Sequence, residues 1–139
     1  MAEDRLQRWA VVFPHLRAMA TRPWWCIPLG DWPHVWAVRA AADHCTLVVN
    51  CTGASLQAFS VPLPLETYLA ALRDLATPPR IMHLPPWPEA QPGPGLRWPL
   101  TCVGVVKALL GVHAPFVQTP AALARHLTAQ GGLFEHEET

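Results

Sequence analysis

Charge is scarce in this chain. Only 14% of its 139 residues are Asp, Glu, Lys or Arg, ten of each sign, so the formal net charge is zero. With no basic stripe to neutralise phosphates, nucleic acid is not an expected partner. No apolar run reaches the ~20 residues that a membrane span needs, so none is expected. The start, Met1-Ala2-Glu3-Asp4-Arg5, lacks the basic opening and apolar core of a signal peptide. The expected location is therefore a cytosol, or a particle assembled in one. A glycine-rich phosphate loop is missing, because Gly93-Pro94-Gly95 is too proline-rich to be one. Paired Cys-x-x-Cys ligands are missing too. The sequence therefore predicts no metal and no cofactor.

Cysteine is limited to Cys26, Cys45, Cys51 and Cys102, at spacings unlike a disulfide scaffold. Cys45 and Cys51 fall in one predicted strand, ~20 Å apart by strand rise, too far to bridge without a sharp bend. Reduced thiols are the expectation. What the chain does have is apolar mass: 51% hydrophobic residues and seven tryptophans. Low charge with many tryptophans points to a surface that lives against partners. A Trp-rich core in a small domain fits the same composition.

The length fits one domain spanning 1–139. Residues 1–33 read as an N-terminal helix over 2–13, with Leu6, Trp9, Ala10 and Phe13 near one face, followed by a rigid aromatic loop. Residues 34–84 read as sheet and helix. Strands are predicted over His34–Ala40, Cys45–Cys51 and Leu56–Val61, forming an antiparallel meander with a turn near Ala42-Asp43. A helix follows over Leu65–Ala76, with Leu65, Tyr68, Leu69, Leu72 and Leu75 as its apolar stripe. Arg80–Leu84 has the pattern of a short strand. Residues 85–99 are a Pro-rich loop that cannot be helix or central strand.

Residues 100–132 hold two helices. Thr101 is the expected N-cap and Gly111 the expected C-cap of the cysteine helix. Thr119 and Pro120 open the last helix, over Ala121–Gln130. The acidic tail 133–139 is expected to be mobile. The predicted fold class is α+β, a small antiparallel sheet with the Cys102 helix and the Leu65–Ala76 helix packed on it.

The stretch Thr101-Cys102-Val103-Gly104-Val105-Val106-Lys107 places a cysteine at the first turn of an apolar helix. Amides there have no internal partners and carry partial positive charge, so a thiolate would be stabilised and its pKa lowered. A thiol hydrolase also needs an imidazole to carry the proton and a polar group to orient it. His34, at the start of a strand, fills the second role. The hairpin brings Asn50 near His34 across the ladder, which fills the third. The amides opening the cysteine helix are the expected oxyanion donors. Plainer roles exist for each: a packed cysteine at a helix start, a polar strand-edge histidine, a turn-forming asparagine. A metal site from His34, His44, Cys45 and Cys51 is disfavoured, because His44 and Cys45 alternate across a strand.

The order of His34 on the first strand, Asn50 on the second and Cys102 on a late helix resembles the circularly permuted branch of the NlpC/P60 papain-like superfamily. That branch includes lecithin:retinol acyltransferase-like proteins, and in it the cysteine helix follows the sheet. The match covers roughly residues 30 to 111. The resemblance implies a permuted papain-like fold and a cysteine hydrolase of the peptidoglycan amidase or endopeptidase type. In that reading Cys102 attacks, His34 shuttles the proton and Asn50 orients His34. Thr101 departs from the pattern, since acyltransferase-like relatives tend to have Asn there.

A second resemblance is local. Residues 100–111 and 118–127 look like the C-terminal half of small uncharacterised proteins of tailed bacteriophages. It implies a virion component, in the tail or inside the particle, with other virion proteins and peptidoglycan peptide as partners. Such folds either cut peptidoglycan or persist as inactive structural plugs. The remaining alternatives are a bacterial cytosolic thiol hydrolase and a bacterial cytosolic domain of no catalytic function.

Overall fold

The structure, a computed structural model, describes residues 6–14, 34–42, 44–52, 55–88 and 101–135. In chain order the elements are β1 (Leu6–Gln7), β2 (Trp9–Phe13), β3 (Trp36–Ala42), β4 (Cys45–Thr52), β5 (Ser55–Val61), α1 (Leu65–Arg73), β6 (Arg80–His83), β7 (Trp87–Pro88), α2 (Cys102–Leu110), α3 (Pro120–Ala129) and β8 (Leu133–Phe134). Six strands form one antiparallel sheet in the order β5-β4-β3-β2-β6-β8, and β1 pairs with β7 in a separate ribbon. The architecture is α+β, as the alternation of the strands predicts.

The largest departure from the sequence reading is at the N-terminus. Residues 2–13 are not a helix; those described form β1 and β2. The helical spacing of Leu6, Trp9, Ala10 and Phe13 misleads because Trp9–Phe13 is apolar at every position, a pattern shared by helices and two-face-buried strands. Here all five residues are buried. Helix propensities span ~0.7 kcal/mol per residue, whereas burying Val11, Val12 and Phe13 stabilises by ~1.5–3 kcal/mol each. Burial therefore decides the conformation, and β2 becomes a central strand between β3 and β6.

Each face of the sheet builds its own core. On one, Val11, Phe13, Val35, Ala37 and Met82 pack against Val103, Val106 and Leu110 of α2 and Leu123 and Leu127 of α3. On the other, Ala10, Val12, Val38, Val48 and Ile81 pack against Leu65, Leu69 and Leu72 of α1. Helix α1 thus lies on the opposite face of the sheet from α2 and α3. Thr46, fully buried, donates its hydroxyl to the Leu63 carbonyl at 2.9 Å and so satisfies its own polarity.

Smaller corrections follow from local geometry. β3 starts at Trp36 rather than His34, and its pairing with β4 is bulged between Ala40 and Ala42, next to the predicted turn. Helix α1 stops at Arg73, so Leu75 leaves the apolar stripe and is 52% exposed. In the Pro-rich segment, Trp87–Pro88 is strand rather than loop, and the Trp87 indole N–H donates to the Leu110 carbonyl at 2.8 Å. Proline fits there because β7 is a strand of a two-stranded ribbon, where not every N–H needs a partner. Residues 89–100 lie outside the described residues.

The tail is anchored at its start. Leu133–Phe134 pairs with β6, and the Glu135 carboxylate takes hydrogen bonds from Arg73 and faces His83 Nε2 at 2.7 Å. The rest of the predicted acidic tail, 136–139, lies outside the described residues, as do Cys26 and most of the aromatic loop.

Candidate functional site

Helix α2 opens as its sequence predicts. Thr101 is extended and its hydroxyl accepts from the Gly104 amide at 2.9 Å, while Gly111 closes the helix in the left-handed conformation at φ 66°. Only a residue without Cβ adopts that φ without strain, which is why the helix stops there. Cys102 is therefore the first residue of the first turn, half-buried against the sheet.

The second and third predicted residues meet directly. His34 Nε2 lies 2.6 Å from Asn50 Oδ1. The register explains the contact. Ala37 pairs with Val49, so one step further Trp36 stands opposite Asn50, and His34 lies diagonal to it on the same side. Because an amide oxygen only accepts, Nε2 carries the proton and Nδ1 is the ring's acceptor. The Trp36 ring lies 5.9 Å from the imidazole, tilted by 40°, and its N–H donates to the Tyr68 hydroxyl at 3.3 Å. Burial holds the His34 pKa below its ordinary value, and the bond to Asn50 opposes that fall without cancelling it. His34 is accordingly neutral near pH 7.

Cys102 reaches the same strand from the other face. By the two-residue alternation, Asn50 shares a side with Thr46 and Val48, and Val49 and Cys51 face α2. Cys102 packs in the cluster of Val49, Cys51 and Val105 and meets the chain at the backbone of Val35. Val35 is the residue after His34, so the backbone group that meets the thiol directly follows the histidine in the chain. Among the described residues no hydrogen bond joins the thiol to the imidazole; the His34 bond is to Asn50.

The expected lowering of the Cys102 pKa is overturned. Burial pushes the thiol up, and backbone N–H groups of Val35, Val103 and Cys102 pull it down by less. Nearby Cys51 adds to the rise. The helix start does supply the predicted favourable amides, but removing the thiolate from water costs more than they return. The resting pair is thus a neutral thiol beside a neutral imidazole.

No cluster of His, Cys, Asp or Glu among the described residues has the geometry to hold a metal ion. No helix among them is long and apolar enough to cross a membrane. Sequence reasoning missed the Val35 backbone contact and the neighbouring Cys51. The Cys51 contact was accessible from alternation, since Val49 and Cys51 are the apolar partners of a helix-covered face. The chain matches no protein-family model, no curated protein and no solved structure.

Proposed function

We propose that this chain is a component of a tailed-phage particle that hydrolyses amide bonds in cell-wall peptide, on a permuted papain-like fold. The observation that carries the chemistry is the 2.6 Å contact between His34 and Asn50, one residue from the backbone against which Cys102 rests. Asn50 fixes the tautomer, leaving Nδ1 as the base. In the reaction Nδ1 takes the Cys102 proton as the sulfur attacks the amide carbonyl. The amides opening α2 hold the developing oxyanion, and His34 returns the proton to the leaving amine. Water then releases the acyl group by the same route in reverse. A neutral imidazole is the form needed at the first step, and burial supplies it. The imidazole must turn toward Val35 to reach the sulfur, a motion that substrate binding would have to drive.

The particle assignment is supported by the likeness of 100–111 and 118–127 to small phage proteins and by the low charge of the chain. The deciding experiment is release of soluble peptide from purified peptidoglycan by the intact protein, with Cys102→Ala and His34→Ala as controls. Release that Cys102→Ala abolishes is the expected result. No release by the wild type, or undiminished release by Cys102→Ala, would overturn the hydrolase.

A second reading has its own support. The raised thiol pKa and the lack of a thiol–imidazole hydrogen bond among the described residues favour an inactive structural domain of the same particle. Strand β5 is uncharged and exposed along Leu56–Ser60, a feature of surfaces that take a partner. Binding of the purified chain to other virion proteins without peptidoglycan cleavage is its expected signature. A chain that stays monomeric and binds none of them would sink it.

A further inference from the structure

A second thiol is packed with Cys102. Leu47, Val49 and Cys51 are alternate residues of β4 and pack with Cys102, Val105 and Leu109, a stripe along α2. Cys51 is 4% exposed, whereas Cys102 is only half-buried. The two side chains share one packed cluster, and Cys51 adds to the rise of the Cys102 pKa. Cys45 lies on the same strand but six residues from Cys51, ~20 Å along a strand's rise and out of reach.

We propose that Cys51 is the resolving thiol of Cys102: a hydroperoxide oxidises the Cys102 sulfur, and Cys51 closes it into a disulfide that clamps the start of α2 to β4. In the first step the Cys102 thiol gives two electrons to the peroxide O–O bond, which breaks. The products are Cys102 sulfenic acid and an alcohol, or water when the oxidant is hydrogen peroxide. In the second step the Cys51 sulfur attacks the Cys102 sulfur and the S–O bond breaks. Hydroxide leaves with the Cys51 proton as water. Exposure sets the order of the roles. The half-buried thiol is the one an oxidant in solution reaches, and the buried one is held back from it. The disulfide would remove the sulfur that the hydrolase reading requires, but its formation does not depend on that reading.

The test uses the full chain, treated with hydrogen peroxide at pH ~9, where a thiol that burial holds above its ordinary range begins to ionise, digested without reductant and mapped by mass spectrometry. The expected product is a Cys51–Cys102 linked peptide, lighter by two hydrogens than the reduced pair, reversed by dithiothreitol and unchanged by Cys45→Ala. In Cys51→Ala the sulfenic acid on Cys102 should persist and be trapped by dimedone. Should that variant not fold, the linkage map of the wild-type protein decides alone. Oxidation of Cys102 to sulfinic acid with Cys51 still a thiol would overturn the proposal. So would a link from Cys102 to Cys26, Cys45 or another chain, or no reaction at Cys102.

Discussion

His34 Nε2 and Asn50 Oδ1 approach to 2.6 Å on the α1 side of the sheet, while the Cys102 sulfur rests against the Val35 backbone from the α2 side. The polar pair and the thiol thus involve adjacent residues, His34 and Val35, just before β3 without being bonded to each other. This arrangement separates two questions that a preformed ion pair would merge: what holds the imidazole, and what ionises the sulfur.

The first prediction concerns the imidazole. Burial lowers the His34 pKa and Asn50 raises it, so Asn50→Ala should make His34 titrate at still lower pH by NMR. The same shift has a sign for stability. A histidine whose folded pKa is depressed contributes stability above its unfolded value of ~6.5, and that contribution is lost as pH falls through the folded value. Urea midpoints should therefore drop on acidification from pH ~7 to ~5. His34→Gln should flatten that slope. A decline of equal size in His34→Gln would show that other groups carry it.

The second concerns the thiol. With burial pushing Cys102 up, alkylation by iodoacetamide should rise only above the ordinary thiol range of ~8.5. His34→Ala should leave that profile in place, because no hydrogen bond links the two side chains among the described residues. A reactive fraction below pH 7 that His34→Ala removes would mean a thiolate–imidazolium pair in solution.

The third isolates the cap of α2. Thr101→Ala removes the acceptor of the Gly104 amide and should cost ~1 kcal/mol. At Gly104 an added Cβ would lie 2.9 Å from the Thr101 hydroxyl oxygen, so Gly104→Ala displaces the cap it would otherwise strengthen by helix propensity. In the Thr101→Ala background that conflict is gone, and Gly104→Ala should stabilise by up to ~1 kcal/mol. Chemical denaturation of the four proteins gives the coupling directly. Additive effects would show that the close approach has no energetic consequence.

The fourth is at Gly132, after α3. A Cβ there would stand 2.6 Å from the Met82 sulfur and 3.0 Å from the Leu127 carbonyl oxygen. Met82 can shift, but the Leu127 backbone cannot move without disturbing the end of α3. Gly132→Ala should lower the thermal midpoint, with a cost of ~1–3 kcal/mol. An unchanged midpoint would mean that β8 can move away from β6 at no cost.

Local signals in the sequence were strong where single residues carry them. Thr101, Gly111, Thr119 and Pro120 act through their own hydroxyls, missing Cβ or fixed φ, and both helices they bound form where those residues stand. The β3–β4 hairpin was readable for a similar reason, and with it the meeting of His34 and Asn50. Register in a hairpin follows from the turn and the alternation. Trp9–Phe13 was not readable, because an apolar residue at every position has no period to report. Its conformation depends on neighbours that arrive from residues 36–42 and 80–83.

Composition, caps and alternation alone thus determined an α+β domain, the boundaries of α2 and α3, and the pairing of one histidine with one asparagine. Only the folded chain decided that α1 and α2 lie on opposite faces, that Cys102 is half-buried beside Cys51, and that its thiol is raised rather than lowered. The physical reason is range. A cap or a hairpin register acts over a few residues, whereas desolvation sums over every group packed around an atom, and those groups come from distant parts of the chain.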